Sequence, residues 1–331
     1  MKVMITGGTG YIGSHLAFNL LDEDEVELIV LYDTQERKNM NAFKIRDLSG
    51  YEKIKIVCGD VNDYWGLRDA LEYYAPTHIV HLSGLVNADQ SIMYPEKYFK
   101  ENTVAVENLM EGIFRQQSVV NLIFSSSAAV YGDIDKPAEE YWTPLRPVNP
   151  YGTSKKIAEK LIEGSNISGK FTDRQFQYTI LRLFNVAGFN PQITDSFKFT
   201  YEKSVIPRII RAVKEHKPFF IRDKSCVRDY VGIDDVCNVM VKSLKHRVGD
   251  YNKHDIFNVC TGVGTSLETL IKEFESGTGC NLITKNSKQG NHGLILTSTG
   301  NPDRLKQHGN YSCKTNISDI MTGIKSNLFS E

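Results

Sequence analysis

Tyr151 and Lys155 stand four residues apart in Tyr151-Gly152-Thr153-Ser154-Lys155, a spacing that puts a phenol and an ammonium on one face of a helix, one turn from each other. A free phenol titrates near ~10, so using it as a base near neutrality requires a fall of about three units, or ~4 kcal/mol. A positive charge ~4 Å away in a partly buried setting supplies about that much. Ser125-Ser126-Ser127 ends a predicted strand, where open α/β sheets place their ligands. A hydroxyl there can hydrogen-bond a reacting oxygen and share its proton with Tyr151. Taken singly, a Tyr-x-x-x-Lys run is an amphipathic tyrosine beside a solvated lysine, and loop serines form turns.

A second run gives the pair a purpose. Thr6-Gly7-Gly8-Thr9-Gly10-Tyr11-Ile12-Gly13 sets Gly7, Gly10 and Gly13 in the spacing G-x-x-G-x-x-G, after a predicted strand and at the start of a predicted helix. Such glycines let the turn tighten and the backbone approach a pyrophosphate, whose charge then faces N–H groups and the positive helix end. Asp33 closes the second predicted strand, where a carboxylate accepts both adenosine ribose hydroxyls and repels a 2′-phosphate. NAD is therefore expected rather than NADP. Arg37 and Lys38 follow closely and could hold such a phosphate, or lie on a solvated helix face. Asp60, in Cys58-Gly59-Asp60-Val61, could contact adenine or cap the next helix. An oxidised nicotinamide would add a second positive charge near Tyr151. The two runs together point to oxidation or reduction of an alcohol or ketone.

The elements that must hold these residues follow from periodicity. Short β-branched runs at 2–5, 27–32, 55–58, 78–82, 121–125 and 178–183 alternate with helical stretches. That rhythm implies parallel strands joined by right-handed crossovers, an α/β fold with a Rossmann-type doubly wound sheet. Near-continuous apolar strands such as Leu28-Ile29-Val30-Leu31 fit burial on both faces. After Asn185 the rhythm breaks: a polar stretch at 190–204 precedes a helix near 206–215, a strand at 256–259 and a helix at 267–275. This shift suggests a smaller C-terminal substrate domain, and 285–301 reads as a loop.

With 331 residues, 41% hydrophobic, 24% charged and a net charge of −1, the chain has the composition of a globular protein with no basic excess for nucleic acid. No apolar run approaches the ~20 residues that span a bilayer, and Val3-Met4-Ile5 is too short for a signal peptide, so a cytoplasmic place is expected and no membrane partner. Cysteines at 58, 226, 237, 260, 280 and 313 lack a C-x-x-C pair, so neither metal nor disulfide is expected.

At these residues the chain resembles the extended short-chain dehydrogenase/reductase superfamily and, within it, the UDP-glucose 4-epimerase family. The resemblance is carried by the glycine run through Ser14-His15, by Phe124-Ser125-Ser126-Ser127-Ala128-Ala129-Val130-Tyr131-Gly132, by Asn149-Pro150-Tyr151-Gly152-Thr153-Ser154-Lys155, by Leu181-Arg182-Leu183-Phe184-Asn185-Val186-Ala187-Gly188 and by Val227-Arg228-Asp229-Tyr230-Val231. It implies that Ser127, Tyr151 and Lys155 form the catalytic triad. Gly7, Gly10, Tyr11, Ile12, Gly13, Asp33, Asp60, Val61, Leu82, Ser83, Gly84, Asn102 and Phe184, with Tyr151 and Lys155, would hold NAD. Ser127, Asn185, Arg228 and Lys288 would hold a nucleotide sugar, a UDP-sugar being favoured, with Arg228 gripping the diphosphate through its forked guanidinium. From the residues alone, Arg228 could equally pair with Asp229 or Asp234.

The implied division is 1–185 with about 227–259 for NAD, and 186–226 with 260–331 for the sugar nucleotide. The implied reaction is transient oxidation at C4, rotation of the keto sugar and return of the hydride. A net reductase or dehydrogenase of a deoxy- or heptose sugar would use the same triad. A 4,6-dehydratase would carry an Asp-Glu pair where this chain has Ala128-Ala129, and a non-catalytic NAD sensor would have no need of the triad. The chain departs from the family pattern at Val86, Leu183, Gly232 and Lys288. A homodimer through helices near 95–116 and 151–163 is implied as well.

Overall fold

The computed structural model describes residues 1–34, 51–116, 118–167, 176–190, 192, 204–245, 254–287 and 293–328, so Arg37, Lys38 and Lys288 lie outside the described residues. In chain order the elements of the first part are β1 (Lys2–Thr6), α1 (Tyr11–Leu21), β2 (Leu28–Asp33), β3 (Ile54–Cys58), α2 (Tyr64–Tyr74), β4 (His78–His81), α3 (Ala88–Met93), α4 (Pro95–Phe99), α5 (Ala105–Arg115), β5 (Asn121–Ser127), α6 (Pro150–Ile167) and β6 (Gln177–Leu183). A second group follows: β7 (Asn185–Ala187), α7 (Val205–Lys214), β8 (Phe219–Ile221), β9 (Val227–Gly232), α8 (Ile233–Lys245), β10 (His254–Val259), β11 (Gly264–Ser266), α9 (Leu267–Thr278), β12 (Thr284–Asn286), β13 (Thr297–Ser298), α10 (Asp303–Gln307) and α11 (Ile317–Leu328).

Seven strands form one parallel sheet in the order β10-β6-β5-β4-β1-β2-β3. The fold is the α/β Rossmann type expected from the alternation. Successive residues of β1 go to opposite faces: Val3 and Ile5 join a core with Leu16, Leu20, Val236 and Met240, while Met4 joins one with Leu67, Leu71, Leu109 and Ile113. Each such side chain contributes roughly 1.5–3 kcal/mol on burial, which is why the central strands of this sheet need no polar face, while β3 at the edge exposes Lys55. The order reverses between β1 and β4, so a crevice opens at their carboxyl ends. The glycine turn after β1 and the Leu82-Ser83-Gly84 turn after β4 flank it.

A smaller group hangs beyond β6. β7 pairs with β9, and β9 also pairs with β11 and β13, while β8 pairs with β12. Its core holds Ile206, Ile209, Phe219, Leu270, Phe274 and Ile324. The 285–301 segment is not wholly loop, since β12 ends within it and β13 lies inside it. Those strands are two and three residues long, and only pairing with distant β8 and β9 defines them. No helix among the described residues is long and apolar enough to cross a membrane.

Local chemistry fixes the helix starts near the crevice. Asn149 accepts the Gly152 N–H at 2.9 Å and Pro150 occupies the first helical position, so Asn-Pro begins α6 just before Tyr151. Asp63, not Asp60, caps α2, accepting from the Gly66 N–H at 3.2 Å. Asp60 instead accepts from the Asn62 N–H at 2.8 Å.

Gly152 sets how closely α6 approaches the turn after β5. A methyl there would fall 2.4 Å from the Ala129 carbonyl oxygen, whereas Gly164, exposed on the same helix, would meet nothing within 4 Å. Alanine at the two positions therefore has opposite effects: Gly152→Ala is expected to destabilise by about 2 kcal/mol through overpacking, and Gly164→Ala to stabilise by about 0.5–1 kcal/mol through helix propensity. Urea unfolding of the two variants checks both signs; equal shifts would contradict the close approach.

Candidate active site

The glycine turn has the shape of a dinucleotide cradle. Gly7 takes φ +69°, and a methyl on it would lie 2.8 Å from the Ser83 nitrogen; on Gly13 it would lie 2.6 Å from the Gly7 carbonyl oxygen. The two turns thus touch through backbone, and larger side chains would fill the space. Gly10 is the N-cap of α1 with no side-chain cap, which suits an anionic ligand at that helix end. Asp33 accepts from the Thr9 N–H at 3.1 Å, tying the turn to the tip of β2. Beside it Gly59 permits the Tyr32 ring, since a methyl would sit 2.3 Å from it. Val61 is buried and Asp60 exposed at the same rim. Leu82, Ser83 and Gly84 are half-buried across the crevice, and Ile12 is half-buried on α1. These residues fit a bound dinucleotide.

Tyr11 and His15 face the other way. Buried Tyr11 donates its hydroxyl proton to the Gly188 carbonyl at 2.5 Å. The Asn190 N–H donates to His15 Nε2 at 3.0 Å, which leaves Nδ1 to carry the proton and donate to the Tyr11 carbonyl at 2.8 Å. Burial lowers the His15 pKa to about 4, consistent with that neutral ring. α1 is thereby fastened to the segment that follows β7.

Tyr151 and Lys155 share the inward face of α6, as their spacing requires. Lys155 is 3% exposed; its Nζ donates to the Ser125 carbonyl at 2.9 Å and lies 5.0 Å from the centre of the Phe124 ring. Burial lowers its pKa to about 8, partly countered by the Glu159 carboxylate. A methyl on Gly84 would lie 3.7 Å from that Nζ, so the amine sits directly below the β4 turn. Tyr151 is buried and meets Tyr98 edge-on, ring centres 6.4 Å apart. Ser127 ends β5, its Oγ accepting from the Ala129 N–H at 3.2 Å. Through the Ala129–Gly152 contact this turn abuts the first turn of α6. Ser127, Tyr151 and Lys155 are therefore gathered at one end of the sheet.

Asn102 lies in a π-helical turn, Lys100–Val104, that joins α4 to α5. Its Oδ1 accepts from the Leu85 N–H at 2.8 Å, and its Nδ2 donates to the Leu85 carbonyl at 2.9 Å and to Ser154 Oγ at 3.0 Å. It binds the β4 turn to α6, immediately beside Gly84.

On the substrate side, Asn185 opens β7 in register with Tyr230 of β9. Phe184, just before it, is buried with Ala128, Val130 and Cys260. Arg228 donates to three carbonyls: Ile295 at 2.6 Å, Val227 at 2.8 Å and Leu296 at 3.2 Å. Asp229, fully buried, instead accepts from the Thr261 N–H and hydroxyl and from the Gly262 N–H. The guanidinium thus keeps a charge that Asp229 does not neutralise. Gly232 is explained by packing, since a methyl there would lie 2.6 Å from Thr315. Leu183 is buried in the main core, and Val86 is exposed at the crevice edge.

Sequence reasoning passed over one cluster. Glu159, one turn beyond Lys155, is fully buried against Arg182 of β6, with Nε–Oε1 at 3.0 Å and Nη2–Oε2 at 2.7 Å; Ser126 donates to Oε1 at 2.5 Å. The available signal was an arginine amid the apolar residues of a central strand.

The chain matches the NAD-dependent epimerase/dehydratase family over residues 3–260. A UDP-glucose 4-epimerase of Lactobacillus helveticus is 31% identical over 292 residues, covering 85% of this chain and 83% of that protein. The structure of a Thermus thermophilus UDP-glucose 4-epimerase with NAD has a TM-score of 0.81 at 25% identity, covering 99% of this chain and 98% of the other. A Bacillus cereus UDP-glucuronic acid 4-epimerase with UDP-glucuronic acid and NAD shares the fold, with a TM-score of 0.84 at 21% identity and coverage of 99% and 98%. The match over most of its length and the likeness to a relative above 30% identity agree with the Rossmann-type sheet and its glycine turn, and the chain belongs to the NAD-dependent epimerase/dehydratase family.

Proposed function

We propose that the chain is a nucleotide-sugar 4-epimerase acting on a UDP-sugar. The observation that carries this reading is the gathering of Ser127, Tyr151 and Lys155 at the crevice whose opposite wall is the glycine cradle. Gly7, Gly10 and Gly13 would receive the pyrophosphate, Asp33 the adenosine ribose, and Leu82 to Gly84 with Lys155 the nicotinamide end. Ile12, Asp60, Val61, Asn102 and Phe184 would shape the rest of that site, with Tyr11, whose side chain faces away, contributing only backbone. Bound NAD would supply a hydride acceptor that returns the hydride to the opposite face of the sugar carbon.

The chain's own groups manage the proton. Tyr151 as phenolate takes it from the 4-hydroxyl and gives it back to the oxygen on return, and Ser127 relays between them. The charge on Lys155 makes that phenolate accessible. Arg228 would hold the diphosphate and Asn185 the sugar, with Lys288 as a further cation. The small sheet around β9 and its helices would make up the sugar-nucleotide lobe, a departure from the division read in the sequence, which set about 227–259 with the NAD part: β9 pairs with β7, β11 and β13, and only α8 and β10 of that stretch join the large sheet. Ala128 and Ala129 offer neither acid nor base for expelling water, which favours epimerisation over dehydration.

Purified protein without added cofactor is expected to interconvert UDP-glucose and UDP-galactose, or another UDP-sugar and its 4-epimer, and Tyr151→Phe to lower kcat roughly 10²–10⁴-fold with NAD still bound. Chromatography of the sugar nucleotides checks both. Absence of any 4-epimer, or full turnover by the variant, would reject the assignment.

The pH dependence has a definite sign. Burial, partly countered by Glu159, sets the Lys155 amine at about 8, and a phenolate beside it holds the charge at least that far, so kcat is expected to fall on an alkaline limb at or above that pH, where the cation is lost. A rate flat through that range would show that the buried amine is not needed charged.

A homodimer is part of the same proposal. Val104 and Ile157 are exposed apolar residues on the α4–α5 connection and α6, a surface suited to a second copy. Sedimentation at micromolar concentration is expected to give twice the chain mass of 37.4 kDa; a purely monomeric species would refute it.

A further inference from the structure

We propose that Glu159 is a positioning residue: its buried carboxylate, clamped by Arg182 and Ser126 one helical turn beyond Lys155, keeps that ammonium charged, so that of the Tyr151–Lys155 pair it is the phenol that gives up its proton. The proposal rests on the epimerase reading only for its kinetic consequence. Its basis is the arrangement of α6 against β5 and β6.

Lys155 has lost almost all its water, and its amine makes one described hydrogen bond, to a neutral carbonyl. A buried ammonium with only such a partner sheds its proton readily. The groups around it come from four elements. On α6 there are Tyr151 and Glu159; β4 contributes His81, fully buried and stacked on Phe124, its pKa pressed to about 3 by burial and by the charge of Lys155. β6 contributes Arg182, and β5 the Ser125 carbonyl and Ser126 hydroxyl. Of these only Glu159 brings a negative charge while the phenol is protonated.

That charge cannot wander. Both carboxylate oxygens meet the guanidinium fork, and Ser126 holds Oε1 from the strand that also ends in Ser127. The far side of Arg182 is fixed as well, donating to Tyr131 Oη and the Glu140 carbonyl at 2.9 Å each. Tyr131 donates onward to Asn258, whose N–H meets the Glu140 carboxylate at 2.7 Å. Arg182 is thus held from both sides, by the carboxylate and by a second polar layer, and Glu159 is the charged group that bears on Lys155.

Tyr151 and Lys155 titrate as a coupled pair, and the first proton leaves from whichever microstate its surroundings favour. With Glu159 charged, loss from the phenol leaves the lysine cation between two anions. With Glu159 neutral, the amine deprotonates first, and the phenol then lacks its cation. The carboxylate lies one turn from the amine and two from the phenol, so its effect on the amine dominates.

The test is a titration of the NAD-saturated protein, in which subtraction of the Tyr151→Phe spectrum isolates the ultraviolet phenolate band of Tyr151. Glu159→Gln is expected to raise its midpoint by about one unit and to lower kcat about tenfold at neutral pH with the KM for UDP-sugar within about twofold, while Glu159→Asp keeps both close to wild type. The double change Glu159→Gln with Arg182→Met removes both charges, avoids a lone buried cation, and should shift the midpoint the same way. A folded double variant that titrates like the wild type and differs only in Tm would overturn the proposal. If neither Gln-containing protein folds, Ser126→Ala, which loosens the carboxylate without removing a charge, is read instead; a smaller shift of the same sign supports the role, and an unmoved midpoint overturns it. No sugar enters the titration, so failure of the epimerase reading would appear separately, as a wild type that produces no 4-epimer.

Discussion

The site depends on one costly arrangement: a lysine amine sealed between a helix and the sheet it packs on. Removing Lys155 from water opposes its charge, and the reaction proposed for the neighbouring phenol requires that charge. Most of the local structure can be understood as compensation for this conflict. The Ser125 carbonyl accepts from the amine, the Phe124 face lies below it, and a carboxylate follows one turn later. The glycine turn after β4 passes directly overhead, at a residue where a methyl would strike Asn102 Oδ1 at 2.6 Å.

Precision in this region comes from backbone in contact with backbone. Gly7 against Ser83, Gly13 against Gly7 and Gly152 against Ala129 bring three turns closer than any side chain would allow. Contacts of that kind leave no rotamers to adjust, so the three turns are fixed relative to the parallel sheet beneath them. Asn102, aimed by a π-helical turn and joined to Leu85 and Ser154, adds the fourth connection. The proton relay proposed for Ser127 and Tyr151 would need its atoms closely held, and glycines and one amide supply that rigidity.

How much of this the sequence disclosed depended on whether the determinant was local. The strands of the large sheet were legible because each is a short apolar run bounded by turn residues, and the helical face shared by Tyr151 and Lys155 follows from spacing alone. The start of α6 was written in Asn149-Pro150. Less could be read beyond β6. β12 and β13 are too short to carry a pattern and exist only because β8 and β9 lie beside them. The partners of Arg228 were equally hidden, since nothing near it in sequence says that it reaches carbonyls at 295 and 296 instead of the adjacent Asp229. Glu159 escaped notice because a charged residue on a helix is usually solvated; only the arginine amid the apolar residues of β6 hinted at a buried mate. The residues proposed to bind cofactor and substrate were found by motif, and Lys288 lies where the structure offers no description.

The path of the chain has a consequence for how the molecule holds together. After β6 it leaves the large sheet to lay down β7, β8 and β9, returns with α8 and β10 to finish one face and one edge, departs again for β11 to β13, and comes back once more with α10, whose Leu305 joins the main core, before α11 ends in the smaller one. No single peptide cleavage can therefore release either half with its interior complete. A fragment ending at β6 would lack Val236, Met240 and the edge strand that cover its apolar residues; the remainder would retain them with nothing to cover. The two halves must fold as one cooperative unit late in synthesis, with contacts that span most of the polypeptide.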